Sequence, residues 1–383
     1  MQETFQQKKV IFIAAAHHIH DLYTAFFSPL LPLIIAKLNI PLSAAALLHV
    51  ARNIPSVFNP LLAILAEKRG VKYFVILTPA ITAVSMSFIG AAGSFAALFF
   101  LLLIAGISAA LFHVPSPVMV RDVSGHRVGT GMSYFMVGGE MARTLGPILA
   151  TAAVSWWGLE GIFRLIPLGL LATLVLFIGL RDYKHPEPAG REKSGQQGLN
   201  ILKRYWAFFF SLSMVILFNS VMKTALILYL PVYLTGRGES LWYAGISLSL
   251  LQGFGVAGVF LSGRISDLIG RGRTLLVSAA GTVAAMIAFS LSGNIVLLSF
   301  LGFFLFASGP VLMAVVQDTR TSMPTFMNAM YMTINFGISS LIALGIGFMG
   351  DTLRLDRTYV IAGLIGIGLI PAAALLPGMA ARA

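Results

Sequence analysis

Two stretches of the chain, AILAEKRG at residues 63–70 and GRISDLIGR at residues 263–271, follow the same pattern. In each, an acid follows a small residue by four positions, and a glycine follows the acid by three positions. Each stretch lies between two long apolar runs. Repetition of a polar loop between apolar runs is typical of an internally duplicated membrane protein. The sequence therefore predicts an all-α integral membrane fold.

Composition supports this class and excludes others. Hydrophobic residues make up 57% of the chain, charged residues only 10%, and the mean hydropathy is +0.88. A soluble protein of this composition would leave much apolar surface in water. In a membrane protein, a net charge of +12 does not indicate a nucleic-acid partner, and none is expected. The positions of the positive residues along the chain instead indicate which segments face the cytoplasm. The chain has no cysteine, which excludes disulfides and thiolate metal sites.

Proline, glycine and charged residues divide the apolar sequence into segments of about 20 residues, the length of a membrane span. We predict twelve helices in two bundles of six. Residues 1–180 form the first bundle, 181–204 a cytoplasmic linker, and 205–383 the second bundle. The predicted helices are 10–36, 42–66, 73–91, 95–120, 129–154, 160–180, 205–234, 241–265, 274–292, 295–318, 326–350 and 358–377.

Lysines and arginines predict the orientation. With the N-terminus inside, most of them fall in inner segments, and the outer loops hold only Lys37, Arg237, Arg354 and Arg357. Cytoplasmic segments of membrane proteins carry this excess of positive charge. We therefore expect a multi-pass protein of the cytoplasmic (inner) membrane, with both termini in the cytoplasm.

The repeated loop resembles the signature that joins helices 2 and 3, and again helices 8 and 9, in the major facilitator superfamily. The second copy matches well, whereas the first has alanine and glutamate where glycine and aspartate are usual. The resemblance implies two six-helix bundles around a central cavity and a gating role for the loop. The residues concerned are Glu67, Lys68, Gly70, Gly263, Asp267, Gly270 and Arg271.

A nearer resemblance covers predicted helices 1 to 5. The segments LFHVP (111–115), SGHRVG (124–129), SYFMVGG (133–139) and LGP (145–147), with His17-x-x-x-Asp21 and PLLP (29–32), are similar to the fosmidomycin resistance group. This resemblance implies proton-driven efflux of small toxic molecules. The chain departs from the group where no acid follows His113, and where Glu140 and Arg52 replace uncharged polar residues. These departures leave the substrate open.

Ionisable residues inside the first half point to a coupling site. His17, His20 and Asp21 share one face of predicted helix 1, and Arg52 with Asn53 lies on helix 2 at a depth that predicts an Asp21–Arg52 pair. Ionisable groups are costly within a membrane, so function is the first hypothesis. We predict that Asp21, His17 and His20 exchange protons. The alternative is that the pair only braces the bundle.

Predicted helix 5 offers a second coupling candidate. Glu140 and Arg143 stand three residues apart and can neutralise one another. A transition metal on the histidine-rich face of helix 1 is disfavoured. Adjacent histidines point about 100° apart on a helix, and no second helix clearly supplies further ligands. No metal or other cofactor is therefore predicted.

In the second half, Lys223 and Asn219 stand four residues apart on predicted helix 7, a helix that lines the cavity in the resembled superfamily. The deep charges sum to one net positive charge with the histidines neutral, which favours an anionic or zwitterionic substrate slightly. The predicted substrate-binding residues are Arg52, Asn53, His113, Asn219, Lys223 and Asn335.

Enzyme chemistry is not expected. GFGVAG (253–258) and GIGFMG (345–350) fit a dinucleotide-binding pattern, but neither follows a strand in a βαβ unit. The leading hypothesis is a monomeric, proton-coupled exporter of a small organic compound. A proton-coupled importer of an organic anion or metal chelate has the same fold. A transporter-like sensor or assembly partner is the alternative from another class.

Overall fold

A computed structural model describes residues 4–59, 72–183, 202–319 and 324–382. In these ranges every element of regular secondary structure is a helix, which confirms the predicted all-α class. The helices of the first half are α1 Gln7–Thr24, α2 Phe27–Leu38, α3 Leu42–Asn53, α4 Lys72–Ser87, α5 Phe95–His113, α6 Ser116–Ser124, α7 Val128–Trp157 and α8 Ile166–Gly179. Those of the second half are α9 Trp206–Gly236, α10 Leu241–Ile269, α11 Arg271–Ser292, α12 Val296–Asp318, α13 Pro324–Leu353, α14 Leu355–Gly366 and α15 Leu369–Arg382.

Three of the predicted spans consist of two successive helices. The breaks lie between α1 and α2, between α5 and α6, and between α14 and α15. In each case a proline stands in the first turn of the following helix, namely Pro29, Pro117 and Pro371. Proline lacks the backbone N–H that would continue the preceding helix, but it is tolerated in the first turn of a new one. The sequence predicts the spans but not these breaks.

Length and hydropathy identify nine membrane-span candidates within the described residues. The first candidate, Gln7–Leu38, joins α1 and α2. Helix α4 is apolar but shorter than a full span. Predicted helix 42–66 begins as α3 and continues as a 3₁₀ helix, Ile54–Phe58, and its last part falls outside the described residues. The protein is therefore a multi-pass membrane protein.

Contacts between residues divide the chain into two units. One comprises Met1–Ile40, Leu47–Ala189 and Leu234–Ser249, and the other comprises Pro41–Ala46, Gly190–Tyr233 and Leu250–Ala383. The second unit thus includes the first turn of α3. Asp351 on α13 accepts hydrogen bonds from the backbone N–H groups of Leu42 (2.7 Å) and Ser43 (2.9 Å). A carboxylate at this place stabilises the free N–H groups and the positive end of the helix.

Close packing of α1 along α7 organises the first unit. Two adjacent glycines of α7 make it possible. A Cβ atom on Gly138 would lie 2.4 Å from the carbonyl oxygen of Ala14, and one on Gly139 would lie 2.4 Å from the His17 ring. Small residues let helix backbones approach in a membrane, where interhelical packing and hydrogen bonds drive association. This approach brings the ionisable side chains of α1 against those of α7.

Candidate functional site

Asp21 is the centre of the ionisable cluster in the first unit, and it is only 2% exposed. Its Oδ1 lies 3.1 Å from Nδ1 of His20 and 3.0 Å from Nε2 of His113. Its Oδ2 lies 3.3 Å from Nε2 of His17 and 3.4 Å from Nη2 of Arg143. Three imidazoles and a guanidinium, from α1, α5 and α7, therefore surround one buried carboxylate. We call these five residues the Asp21 cluster.

His17 is held in place from several sides. Its Nδ1 lies 2.7 Å from the carbonyl oxygen of Phe135, and its ring stacks on the Phe135 ring with centroids 4.0 Å apart. A carbonyl oxygen only accepts hydrogen bonds, so Nδ1 carries a proton. Nε2, which faces Asp21, makes no hydrogen bond of acceptable geometry with the described residues. The ring is thus fixed with its second nitrogen directed at the carboxylate.

His20 joins the cluster to a chain of hydroxyl groups. Its Nε2 lies 3.0 Å from Oγ1 of Thr82 on α4, and Thr82 donates to Oγ of Ser108 on α5 over 2.8 Å. Ser108 in turn donates to the carbonyl oxygen of Thr78 over 3.0 Å. Thr82 and Ser108 are not among the residues predicted from sequence. Hydroxyl residues are common in membrane helices, and their spacing along one helix does not reveal a partner on another.

Arg143 links two acids. Its Nη1 donates to Oε1 of Glu140 over 2.7 Å, which confirms the predicted contact between residues three positions apart on one helix. Its Nη2 reaches Oδ2 of Asp21, a contact that the sequence did not predict. Glu140 is 9% exposed, whereas the Arg143 side chain is 40% exposed. Arg143 therefore links the buried Asp21 to Glu140, and its own side chain is much more exposed than either acid.

The predicted pairing of Asp21 with Arg52 is wrong. Nη1 of Arg52 donates to the carbonyl oxygen of Thr24 over 2.6 Å, close to the end of α1. Thr24 lies about one helical turn beyond Asp21, so Arg52 is at the predicted depth, within about one turn of Asp21, but it donates to a backbone carbonyl and not to the carboxylate. Asn53 interacts with Nε2 of His49 over 2.9 Å. Within the described part of the chain, Arg143 supplies the guanidinium that contacts Asp21.

Among the described residues, the atoms that could together bind a metal ion also lie in the Asp21 cluster. One ligand atom each from His17, Asp21 and His113 lies within 4.8 Å of the others. His113 comes from α5, so a second helix does supply a nitrogen, contrary to expectation. The guanidinium of Arg143 contacts the same carboxylate, however, and its fixed positive charge opposes a divalent cation there. The donor set therefore fits a proton better than a metal ion.

A second site lies within the second unit, between α9, α12 and α13. Its cavity of about 50 Å³ has room for a few water molecules or a carboxylate-sized group. Lys223 lies on its wall with Nζ 5.0 Å from the centroid of the Phe306 ring. Oδ1 of Asn219 accepts no hydrogen bond from the described residues. Three predicted substrate-binding residues, Asn219, Lys223 and Asn335, thus line one cavity.

The second copy of the repeated loop forms a compact polar network. Gly270 has a φ of 92°, a value that favours glycine, and it separates α10 from α11. Arg271 donates to Asp267 and Ser266 of α10, and to Oδ2 of Asp318 on α12 over 3.3 Å. Gly263 accepts a hydrogen bond from Ser266. The first copy, with Glu67, Lys68 and Gly70, lies outside the described residues.

Comparisons with known proteins give a consistent result. A family model described as Major Facilitator Superfamily matches residues 13–344. The Fosmidomycin resistance protein of Escherichia coli (strain K12) is 22% identical over 360 residues, which cover 92% of this chain and 89% of that protein. The Uncharacterized MFS-type transporter YfnC of Bacillus subtilis (strain 168) is 21% identical over 381 residues, covering 96% and 92%.

Solved structures agree on the fold. A bacterial homologue of the human lysosomal transporter Spinster, in an inward-facing and occupied conformation, matches with a TM-score of 0.80 and 14% identity over 100% of this chain and 98% of that chain. A D-xylose–proton symporter matches with a TM-score of 0.76 and 15% identity over 97% of each chain. Because the family model spans most of the sequence, the chain belongs to the major facilitator superfamily and is a membrane transporter, not an enzyme.

Proposed function

We propose that this transporter exports a small anionic or zwitterionic organic compound in exchange for protons. The observation that carries the proposal is the Asp21 cluster, in which a buried carboxylate contacts three imidazoles and a guanidinium. Proton coupling requires a group that gains and loses a proton as its surroundings change during transport. Imidazole gains and loses a proton near neutral pH, and a carboxylate does so when its surroundings raise its pKa.

We assign Asp21, His17 and His20 as the residues that carry protons, and we add His113 because it contacts Asp21 directly. Arg143 connects this cluster to Glu140, the second coupling candidate. Movement of Arg143 from one acid to the other would change which carboxylate is paired with a positive charge. This exchange offers a route by which proton release at Asp21 is linked to a change of conformation.

The substrate class is inferred from the second unit. An ammonium group beside a small cavity attracts an anionic group. Oδ1 of Asn219, which has no hydrogen-bond partner among the described residues, is placed to accept a hydrogen bond from a substrate O–H or N–H group. Lys223, Asn219 and Asn335 are therefore the proposed substrate contacts, with Arg52 and Asn53 as candidates in the first half. Similarity to a fosmidomycin resistance protein supports export of a toxic compound.

Purified protein in proteoliposomes tests the coupling. A pH-sensitive dye inside the vesicles reports proton movement when a substrate gradient is applied. We expect Asp21→Asn to abolish substrate-dependent proton movement, because asparagine cannot exchange a proton. Asp182→Asn, which changes an exposed acid beyond α8, is the matched control and should retain activity. Full proton movement in Asp21→Asn protein would refute the assignment.

Growth assays test the substrate and the direction. Cells with and without the protein are exposed to a panel of inhibitors that includes fosmidomycin. Resistance conferred by the protein would support export and name the compound class, whereas increased sensitivity would indicate an importer. Ligand binding without transport would favour a sensor. The inner-membrane location, cytoplasmic termini and monomeric state are part of the proposal and are open to reporter fusions and to mass measurement in detergent.

A further inference from the structure

The direction of the hydroxyl chain beside His20 can be deduced by counting protons. A serine or threonine hydroxyl donates one hydrogen bond. If Ser108 donates to the carbonyl oxygen of Thr78, then Thr82 donates to Ser108, and Nε2 of His20 must donate to Thr82. This direction makes three hydrogen bonds. The reverse direction, in which Thr82 donates to His20, makes only two because Ser108 has a single proton.

The two directions give His20 different tautomers. In the three-bond arrangement the proton is on Nε2, so a neutral His20 directs the lone pair of Nδ1 at Oδ1 of Asp21, 3.1 Å away. Two lone pairs repel at that distance, unless an additional proton lies between Nδ1 and the carboxylate. In the two-bond arrangement Nε2 has no proton, so Nδ1–H donates to Asp21 and no additional proton is needed. The hydroxyl chain and the proton content of the cluster are therefore linked.

We propose that Thr82 and Ser108 are positioning residues that hold His20 in the Nε2–H form and thereby increase the affinity of the Asp21–His20 pair for a transported proton. This inference rests on the proposed function, since it concerns the proton that Asp21 carries. Loss of that proton reverses the chain, and the tautomer of His20 changes with it. Neither hydroxyl group contacts Asp21 in the described structure; both act through His20.

The other ionisable groups around His20 come from three helices. His17 and Asp21 lie on α1 itself, His113 on α5, and Glu140 with Arg143 on α7. Helix α8, which also packs on α1, has no ionisable residue, α4 has Lys72 and Tyr73 in its first turn, and α6 has Arg121 and Asp122. Ser108 is 1% exposed and Thr82 is fully buried. Bulk water is therefore not available to replace a missing hydroxyl partner.

Ser108→Ala is the decisive variant because it changes neither His20 nor Asp21. It removes two hydrogen bonds from the three-bond arrangement and one from the reverse arrangement, so it favours the state without the additional proton. The two arrangements thus differ by one lost hydrogen bond. The free energy of one hydrogen bond lowers the pH at which the proton is lost by about half to one pH unit. Ser108→Thr retains the hydroxyl and should restore the original midpoint.

Ser85→Ala is the matched control. Ser85 lies on α4, one turn after Thr82, and it is 2% exposed. Its hydroxyl donates only to carbonyl oxygens of its own helix, those of Ile81 and Thr82, and so has no connection to His20. Substitution there removes a hydroxyl of the same size from the same buried layer. The pH midpoint of His20 should remain at the wild-type value.

The measurement is nitrogen NMR of protein labelled with ¹⁵N-histidine in lipid bilayers, with no substrate present. The His20 signal is identified by its absence in His20→Gln, and the protonation of its Nε2 is followed from pH 4 to pH 9. We expect Nε2 of wild-type protein to lose its proton at a higher pH than in Ser108→Ala. Equal midpoints in wild type and Ser108→Ala would overturn the inference, as would an equal shift in Ser85→Ala.

The result is separable from the proposed function. A shifted His20 midpoint together with unchanged proton movement in Asp21→Asn vesicles would support the hydroxyl chain and refute the coupling assignment. Loss of proton movement in Asp21→Asn with no shift in Ser108→Ala would do the opposite. The sequence has seven histidines, and unchanged signals from the histidines other than His20 show whether each variant is folded.

Discussion

Replacing Gly139 by alanine tests how tightly the His17 ring is held. A Cβ atom at this position lies 2.4 Å from Cε1 and 2.6 Å from Nε2 of His17. Non-bonded carbon atoms pack at about 3.5 to 4.0 Å, so the ring must move by roughly 1 Å. Such a move breaks or distorts the hydrogen bond from Nδ1 to Phe135 and the ring stacking on the same residue. The strain therefore falls on the Asp21 cluster.

The expected loss of stability follows from three contributions. Overpacking a buried site costs about 1 to 3 kcal/mol, and the weakened buried hydrogen bond adds about 1 kcal/mol. Alanine returns about 1 kcal/mol through its higher helix propensity. We therefore expect Gly139→Ala to lower the free energy of unfolding by about 1 to 3 kcal/mol. Gly129→Ala, on the same helix with no heavy atom within 4 Å of the new Cβ, should be neutral or stabilising.

Thermal unfolding of the detergent-purified protein measures the difference, and a double-mutant cycle locates its cause. Once His17→Ala has removed the ring, Gly139→Ala should retain only its helix-propensity gain of about 1 kcal/mol, so the coupling between the two substitutions should reach about 2 to 4 kcal/mol. Equal melting temperatures for Gly139→Ala and Gly129→Ala would show that the ring yields freely. The account of a fixed His17 would then be wrong.

Three further substitutions probe regions away from the cluster. Arg271→Ala should destabilise by about 1 kcal/mol in low salt and by less in high salt, because its contacts with Asp318 and the end of α10 are partly exposed; melting temperatures at several NaCl concentrations test this. Asp351→Ala should cost about 0.5 to 2 kcal/mol by removing the cap of α3, measurable as a lower melting temperature. Burial, and a hydrogen bond to Asp122, raise the pKa of Tyr183, so this phenol stays a donor, and Tyr183→Phe should cost about 1.5 kcal/mol in chemical unfolding.

Sequence reasoning was sufficient where the determining pattern lies within one helix. Apolar runs bounded by proline, glycine and charge predicted the spans, because a membrane span must satisfy its own backbone. The spacing of Glu140 and Arg143 predicted their contact, since residues three apart meet on a helix surface. His17 and Asp21 were grouped for the same reason, at a spacing of four residues.

Sequence reasoning was insufficient where two helices meet. Contacts of Asp21 with Arg143 and His113 join residues far apart in the chain, and they depend on the rotation and depth of each helix. A shift of one residue moves a side chain by about 1.5 Å along the axis and turns it by about 100°. That sensitivity explains why Arg52 was assigned to Asp21 although it contacts Thr24. The glycines of α7 carried the missing information, because they fix where α1 lies.

Cutting the chain between its two halves would separate Asp351 from α3, the helix that it caps. A fragment that ends at residue 180 would contain α3 but not the carboxylate that binds its first two N–H groups. A fragment that begins at residue 205 would contain Asp351 but lose residues 41–46, which belong to its own contact unit. Each product would therefore lack residues that complete one of the two contact units.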